Sequence, residues 1–259
     1  MRYIVCIKQV PDIETVKINP ETGTLVREGV KSMINPYDLY ALEAALQMKE
    51  CYGGKITLLS MGPPQAEEAL REGISYGADE AILLSDRAFA GADTLATSYT
   101  LAQAIRKVGE YDIIFCGKQA IDGDTAQVGP EIAQRLNLPY VTYVRKIELK
   151  ENSLIVERDL DDGYQVIKVS LPALLTIVKE IGEPRVPSVR GKMRAKKIDI
   201  PVWTAKDIGA REDKIGLAGS PTRVLKIFSP PPRGEKEIFS GTLEEQVKSL
   251  WDKIGSVLK

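Results

Sequence analysis

Residues 116–131, CGKQAIDGDTAQVGPE, set glycines, amides, hydroxyls and two aspartates between a short apolar run and a helical pattern. A strand ending near Cys116, a polar turn and a helix starting near Thr125 would place free backbone N–H groups and the positive end of a helix dipole at one edge of a sheet. Such an edge binds anions, and a phosphate or pyrophosphate suits it. Gly123 and Gly129 would let the backbone approach a ligand closely, Thr125 and Gln127 offer hydrogen bonds, and Gly117 and Lys118 stand at the strand's exit. Asp122 and Asp124 disfavour a bare anion in the middle of the turn, so their carboxylates are expected to face ribose or amide donors. An ordinary turn in which one of them caps the helix is the alternative reading.

Other chemistry is excluded by what the chain lacks. It contains no histidine, and its three cysteines, Cys6, Cys51 and Cys116, form no CxxC pair. A Ser-His-Asp triad, a Cys-His nucleophile, a His-ligated zinc and a four-thiolate iron–sulfur cluster are therefore ruled out. Cys6 and Cys116 read as small apolar strand residues. Neither GxGxxG nor GxxxxGK[ST] occurs at a strand end, so a standard dinucleotide fingerprint and a P-loop are unsupported. With 35 basic and 36 acidic residues the net charge is −1, which gives no field for nucleic acid or an anionic membrane. The longest apolar runs, such as residues 171–178, are too short to span a bilayer, and the N-terminal sequence lacks a cleavage pattern, so a cytoplasmic location is expected.

The elements that must position the turn follow from periodicity. Residues 3–10, 55–62, 80–86 and 111–118 read as strands apolar on both faces, and 37–50, 64–76, 94–108 and 126–136 as helices, the first with Asn35 as cap and Pro36 at its first position. This alternation predicts a doubly wound, mainly parallel α/β sheet with ligands at the carboxyl ends of its strands. Four more polar turns, at 8–12, 34–38, 60–64 and 91–98, belong to that edge. Beyond residue 138, the closely spaced runs 140–150, 153–160 and 164–178 predict an antiparallel extension turning at DLDDG, 159–163. A proline-rich, basic segment at 179–203 cannot readily bury itself, and an amphipathic helix over 243–257 follows a linker at 229–241. The expected organisation is a nucleotide-binding body, 1–180, and a partner-binding arm, 181–259.

VCIKQVPD, NPYDLYALE, GKQAIDGDTAQVGP and VERDLDDGYQVIKVSLPALLT together resemble the β subunit of an electron transfer flavoprotein. The last carries that family's signature as Val156, Arg158, Asp161, Asp162, Gly163, Gln165, Pro172 and Thr176. The resemblance implies a fold of the adenine nucleotide α-hydrolase type, paired with an α subunit that carries an electron-transferring FAD. It places the β nucleotide against Cys6, Asn35, Pro36, Tyr37, Asp38 and Met61, with Lys8 and Gly62 beside them. The same site continues along Gly117, Lys118, Gln119, Ala120, Ile121, Asp122, Gly123, Asp124, Thr125, Ala126, Gln127 and Val128. Residues 182–197 resemble the loop that grips partner dehydrogenases or reductases, with Val189 as its apolar anchor and Arg190 and Met193 alongside.

Two classes exist within that family. In one the β nucleotide is a structural AMP, and electrons come from acyl-CoA dehydrogenases. In the bifurcating class it is a second FAD, which takes hydride from NADH and divides the electrons between the α-subunit FAD and a low-potential acceptor such as ferredoxin. GADTLATS at 91–98 and DGDTAQVGP at 122–130 resemble the second class. Gly91, Ala92 and Ala96 would leave room for a ring that AMP lacks, Thr94 and Thr97 could hydrogen-bond it, and Asp93 serves either there or as a helix cap. Lys8 and Gln119 are candidates for tuning the flavin. A non-redox nucleotide-binding regulatory domain is the alternative of another class. An ATP-pyrophosphatase-type ligase is disfavoured by the lack of an SGGxDS loop.

Overall fold

Strands that are apolar on both faces need cover on both sides, and the computed structural model, which describes residues 1–12, 17–18, 25–26, 32–223, 225 and 237–257, supplies it as helices packed on either face of one sheet. Strands β1 (Arg2–Cys6), β2 (Gln9–Pro11), β3 (Lys17–Ile18), β4 (Leu25–Val26) and β5 (Ser32–Ile34) precede helix α1 (Pro36–Tyr52). The alternation continues through β6 (Lys55–Met61), α2 (Glu67–Tyr76), β7 (Glu80–Leu84), α3 (Thr94–Val108), β8 (Ile113–Gly117) and α4 (Val128–Leu136). Next come β9 (Tyr140–Lys150), β10 (Ser153–Leu160), β11 (Gly163–Ser170), β12 (Ala173–Ile177), α5 (Val189–Ala195), β13 (Val202–Trp203) and α6 (Leu243–Val257).

The main sheet has nine strands in the order β11-β10-β9-β12-β8-β1-β6-β7-β13. It is parallel from β9 to β13 and becomes antiparallel at β9-β10-β11, which is the expected doubly wound sheet with an antiparallel extension. Helices α1 and α2 cover one face, around Leu42, Leu70 and Ile74, while α3 and α4 cover the other, around Ile105 and Ile132. From β1 the chain winds through β6 to β7 on one side, then crosses to β8 and β12 on the other. The direction of winding therefore reverses between β1 and β8, where an open α/β sheet leaves a crevice.

Several sequence expectations are corrected. Residues 3–10 are not one strand: β1 ends at Cys6 because the Lys8 N–H donates to the Asp38 carboxylate (2.8 Å) instead of continuing the ladder, and β2 pairs with β5 in a separate ribbon. The run 164–178 is also two strands. Pro172 has no N–H to give, so β11 stops before it, and β12 enters the parallel sheet between β8 and β9. The helix expected from 64 opens as a 3₁₀ turn, Pro64–Ala66, and the one expected from 126 begins at Val128. The segment read as unable to bury itself, 179–203, does so in part: β13 extends the sheet beside β7, and Ala195 and Ile200 are buried, as are Ile208 and Ile215 after it. By contrast α6 leaves Leu243, Val247, Leu250, Trp251 and Ile254 exposed. Residues 229–236 of the expected linker lie outside the described residues. Among the described residues no helix is long and apolar enough to cross a membrane.

Candidate functional site

The first turn of α1 ties the two strand exits together. Asn35 is fully buried and stands at the N-cap of α1 as expected, but its side chain makes no capping bond. Its side-chain amide instead donates to the Gln119 carbonyl (2.8 Å) and accepts from the Ile121 N–H (3.1 Å), clamping the turn after β8 to the start of α1. Asp38 accepts the N–H groups of Lys8 and Gly117, one from each strand exit. Burial pushes its carboxyl up to about 7 against those donors, the Asn35 side chain and the charge of Lys8. Gly117 is where a side chain cannot be accommodated: a Cβ there would stand 2.4 Å from Asp38 Oδ1 and 2.6 Å from the Tyr37 carbonyl carbon. Gly129 does the same for α4, since a Cβ would meet Thr176 Cγ2 of β12 at 2.7 Å.

The anion turn is built differently from its sequence reading. Neither aspartate caps α4, whose N-cap is Gln127 with no side-chain capping bond. Asp122 pairs with Lys8 at 2.7 Å, and Asp124 accepts from the Gln119 amide, so both carboxylates are held by amine or amide donors. The left-handed residues are Asp124 and Ala126, each at φ 54°, and not Gly123. Ala126 is followed by Gln127 at φ −97°, ψ −35°, so a left-handed residue precedes a right-handed one. That alternation turns successive N–H groups toward one concavity, a nest for an anion. The N–H groups of Val128 and Gly129, which open α4, have no intrahelical partner and lie next to it.

The opposite wall is the first turn of α3. Asp93 caps it, accepting the Ala96 N–H at 3.0 Å, while its second oxygen accepts the N–H (3.2 Å) and hydroxyl (2.9 Å) of Thr222. Burial works against the charged form, but these donors and the Ser220 hydroxyl hold the Asp93 carboxyl below the usual carboxylate range. Thr94 donates to Glu131 Oε1 of α4 at 3.2 Å. Of the three small residues expected to make room for a ring, Ala92 alone lines the cavity; Ala96 is in the core, and Gly91, at φ 74°, faces Leu217.

Between these walls lies a cavity of about 380 Å³. It brings together Cys6, Lys8, Asp38, Met61, Asp93, Thr94, Thr97, Gly117, Lys118, Gln119, Ala120, Gly123, Thr125, Ala126, Gln127 and Val128. Asn35, Pro36, Tyr37, Gly62, Ile121, Asp122 and Asp124 lie outside its lining; Asn35 and Asp122 support residues that line it. Sequence reasoning missed Ile7, Leu101 and the inward role of Cys116. Leu101 was findable, being four residues after Thr97 on the same helix face. Tyr37 lines a neighbouring cavity of about 600 Å³ with Lys118, Tyr143, Arg158, Asp159 and Lys179, so Lys118 is a wall shared by both. Its ammonium lies 5.2 Å from the Tyr143 ring and 6.0 Å from that of Tyr37. Among the described residues no cluster of His, Cys, Asp and Glu could hold a metal ion.

On α5, Val189, Arg190 and Met193 are exposed, Val189 to 76%. The loop before them is held from behind by Arg185, which pairs with Glu43 (2.8 Å) and Glu50 (2.5 Å) of α1. Ser188 caps α5 through the Gly191 N–H (3.0 Å).

Comparison with known proteins gives a consistent set of likenesses. The electron transfer flavoprotein domain family matches residues 22–208. The electron transfer flavoprotein subunit beta of Thermoanaerobacterium thermosaccharolyticum is 53% identical over 257 residues, covering 99% of this chain and 98% of that one. The caffeyl-CoA reductase-Etf complex subunit CarD of Acetobacterium woodii is 55% identical over 248 residues, covering 95% of each chain. Protein FixA of Azorhizobium caulinodans is 50% identical over 244 residues, covering 91% of this chain and 87% of that one.

Proposed function

The chain belongs to the electron transfer flavoprotein family as a β subunit, and from that premise we propose that the crevice between β1 and β8 holds FAD as the entry point for electrons from NADH. The observation that carries this reading is the reach of the cavity. It runs from the nest at Ala126 and Gln127 to the first turn of α3, where Ala92, Thr94 and Thr97 form a wall that a nucleotide phosphate does not need. The residues present fit a dinucleotide: N–H groups for a pyrophosphate, hydroxyls from Thr94, Thr97 and Thr125 for ribose or ring edges, and apolar Met61, Leu101 and Val128 for a ring face. When bound, FAD supplies hydride acceptance and one-electron transfer, with one electron destined for the α-subunit FAD and the other for a low-potential acceptor such as ferredoxin.

The chain's own residues hold and orient. Asp38 and Asn35 fix the spacing of the two strand exits, and Lys8, which lines the cavity, is held by Asp122. Lys118 and Gln119 bring a cation and an amide to the same wall. The absence of histidine fits this reading, because hydride transfer from a nicotinamide needs no side-chain base. The exposed face of α6 suits the α subunit, and Val189, Arg190 and Met193 suit a dehydrogenase or reductase partner. The relative that is named a subunit of a caffeyl-CoA reductase-Etf complex supports such a partner. A cytoplasmic location is part of the reading.

The test is a cofactor count on the complex with the α subunit. Acid extraction and chromatography should yield two FAD per heterodimer and no AMP, and anaerobic NADH should bleach the complex. One FAD with one AMP, and no bleaching, would overturn the NADH-oxidising reading in favour of a structural AMP and leave family membership intact.

A further inference from the structure

Two thiols line the cavity side by side. Cys6 closes β1 and Cys116 lies in β8, and the parallel register sets them directly opposite each other. Both side chains enter the α3/α4 side of the sheet, belong to the same buried cluster and line the cavity. Neighbouring strands are about 4.8 Å apart, so two thiols opposite one another on one face are within reach of a single bridging atom. The adjoining Cys6 thiol, burial and the Asp38 carboxylate push the Cys116 thiol well above its ordinary value. It therefore stays neutral, and reactions that depend on one exposed thiolate are disfavoured. Chemistry that engages both thiols at once and carries off their protons is not.

We propose that Cys6 and Cys116 form a dithiol site for a monosubstituted trivalent arsenical, which enters through the nucleotide cavity and is excluded when nucleotide fills it. With an organoarsenic oxide the step balances without oxidant or reductant. Two As–S bonds form, the arsenic–oxygen bond breaks, and the oxygen leaves as water with both thiol protons while arsenic remains trivalent. The organic substituent has a place too, because Met61, Leu101 and Val128 line the cavity beside the thiols. Cys51 provides an internal control: it is exposed on α1, away from the other two, and can give only a single As–S bond, which water reverses. The dithiol site stands on the strand register alone; only its exclusion by nucleotide rests on the function proposed above.

The probe is phenylarsine oxide, added to the complex with the α subunit after removal of bound nucleotide and followed by peptide mapping under non-reducing conditions. The expected product is one phenylarsenic unit bridging the Cys6 and Cys116 peptides, released by excess 2,3-dimercaptopropanol. Cys6→Ala and Cys116→Ala should each abolish the bridged species, and Cys51→Ala should leave it unchanged. Should the first two variants fold poorly, the wild-type map decides alone. No bridged peptide, or single-thiol adducts only, would overturn the proposal. Reloading with FAD or AMP before the probe should prevent bridging. A bridge that forms equally with nucleotide bound keeps the dithiol site and places the nucleotide elsewhere.

Discussion

Gly117 and Gly123 sit six positions apart in the same motif, yet they answer to different constraints. Gly117→Ala would force a Cβ to 2.4 Å from Asp38 Oδ1, and overpacking of this kind costs about 1–3 kcal/mol. We predict a lower melting temperature and loss of nucleotide for that variant. Gly123→Val meets open space, with no heavy atom within 4 Å of its Cβ, and needs no left-handed backbone. Its apo stability should stay within about 0.5 kcal/mol of wild type, while nucleotide affinity, measured by equilibrium dialysis, falls because Gly123 lines the cavity. An early-melting Gly123 variant would contradict this account of the turn. Asp38 gives a pH signature. Its folded value of about 7 lies above the ordinary 3.8, so the native chain binds more protons than the unfolded one between those values. The Asp38 contribution to stability is fully present below pH 4 and is lost as pH rises through 7. Asp38→Asn removes that dependence, so in urea titrations its stability relative to wild type should improve from pH 4 to pH 8; a constant difference would show that Asp38 does not titrate there. None of these distinctions was readable from residue type. Asn35 satisfies every local rule for a helix cap, and only the turn 84 to 86 residues away determines that its amide serves elsewhere.

Elements were more legible than residues, for a physical reason. Strands buried on both faces carry their signal in a few consecutive residues, so β6, β7 and β8 were readable within two residues, and α3 over its whole length, Thr94–Val108. What failed were boundaries set by distant partners. The ends of β1 and α4 depend on Asp38 and on the turn at Ala126, and the place of β12 depends on β8, some sixty residues earlier. The loop before α5 shows how an element can be rigid behind and free in front. Arg185 forks onto Glu43, which is nearly buried, while Val186 and Val189 face solvent. Burial alone would raise the Glu43 carboxyl, but Arg185 and Gln47 hold it below its ordinary value. Arg185→Ala should therefore cost roughly 3 kcal/mol by leaving a buried carboxylate unpaired, and it should loosen the loop. Val189→Asp should leave the melting temperature of the chain unchanged yet weaken electron transfer with a partner dehydrogenase or reductase. Equal melting of the two variants would remove the distinction between the back and the front of this loop.

At the scale of the molecule, the chain divides by what covers its apolar surface. Residues 179–203 carry the proline-rich, basic composition that suggested an uncovered arm, but they bury Ile200 and add β13 to the sheet, and the residues that follow them bury Ile208 and Ile215 and bind Asp93 through Ser220 and Thr222. Among the described residues helix α6 has no comparable support: Leu243, Val247, Leu250, Trp251 and Ile254 recur at helical spacing and are exposed, Trp251 to 72%. An isolated helix of 15 residues is marginal in water, so α6 needs a partner surface over that face if it is to persist, the place proposed above for the α subunit. We predict that limited proteolysis of the chain alone cuts within 237–257 first and spares 182–222, and that the α subunit protects α6. Trp251→Asp should weaken the heterodimer by about tenfold or more, since large aromatic residues at the centre of an interface dominate its energy, without lowering the melting temperature of the chain alone. Cleavage of 182–222 as fast as α6, or an α6 equally resistant with and without the α subunit, would refute this division and return the whole segment after residue 180 to the role of an arm.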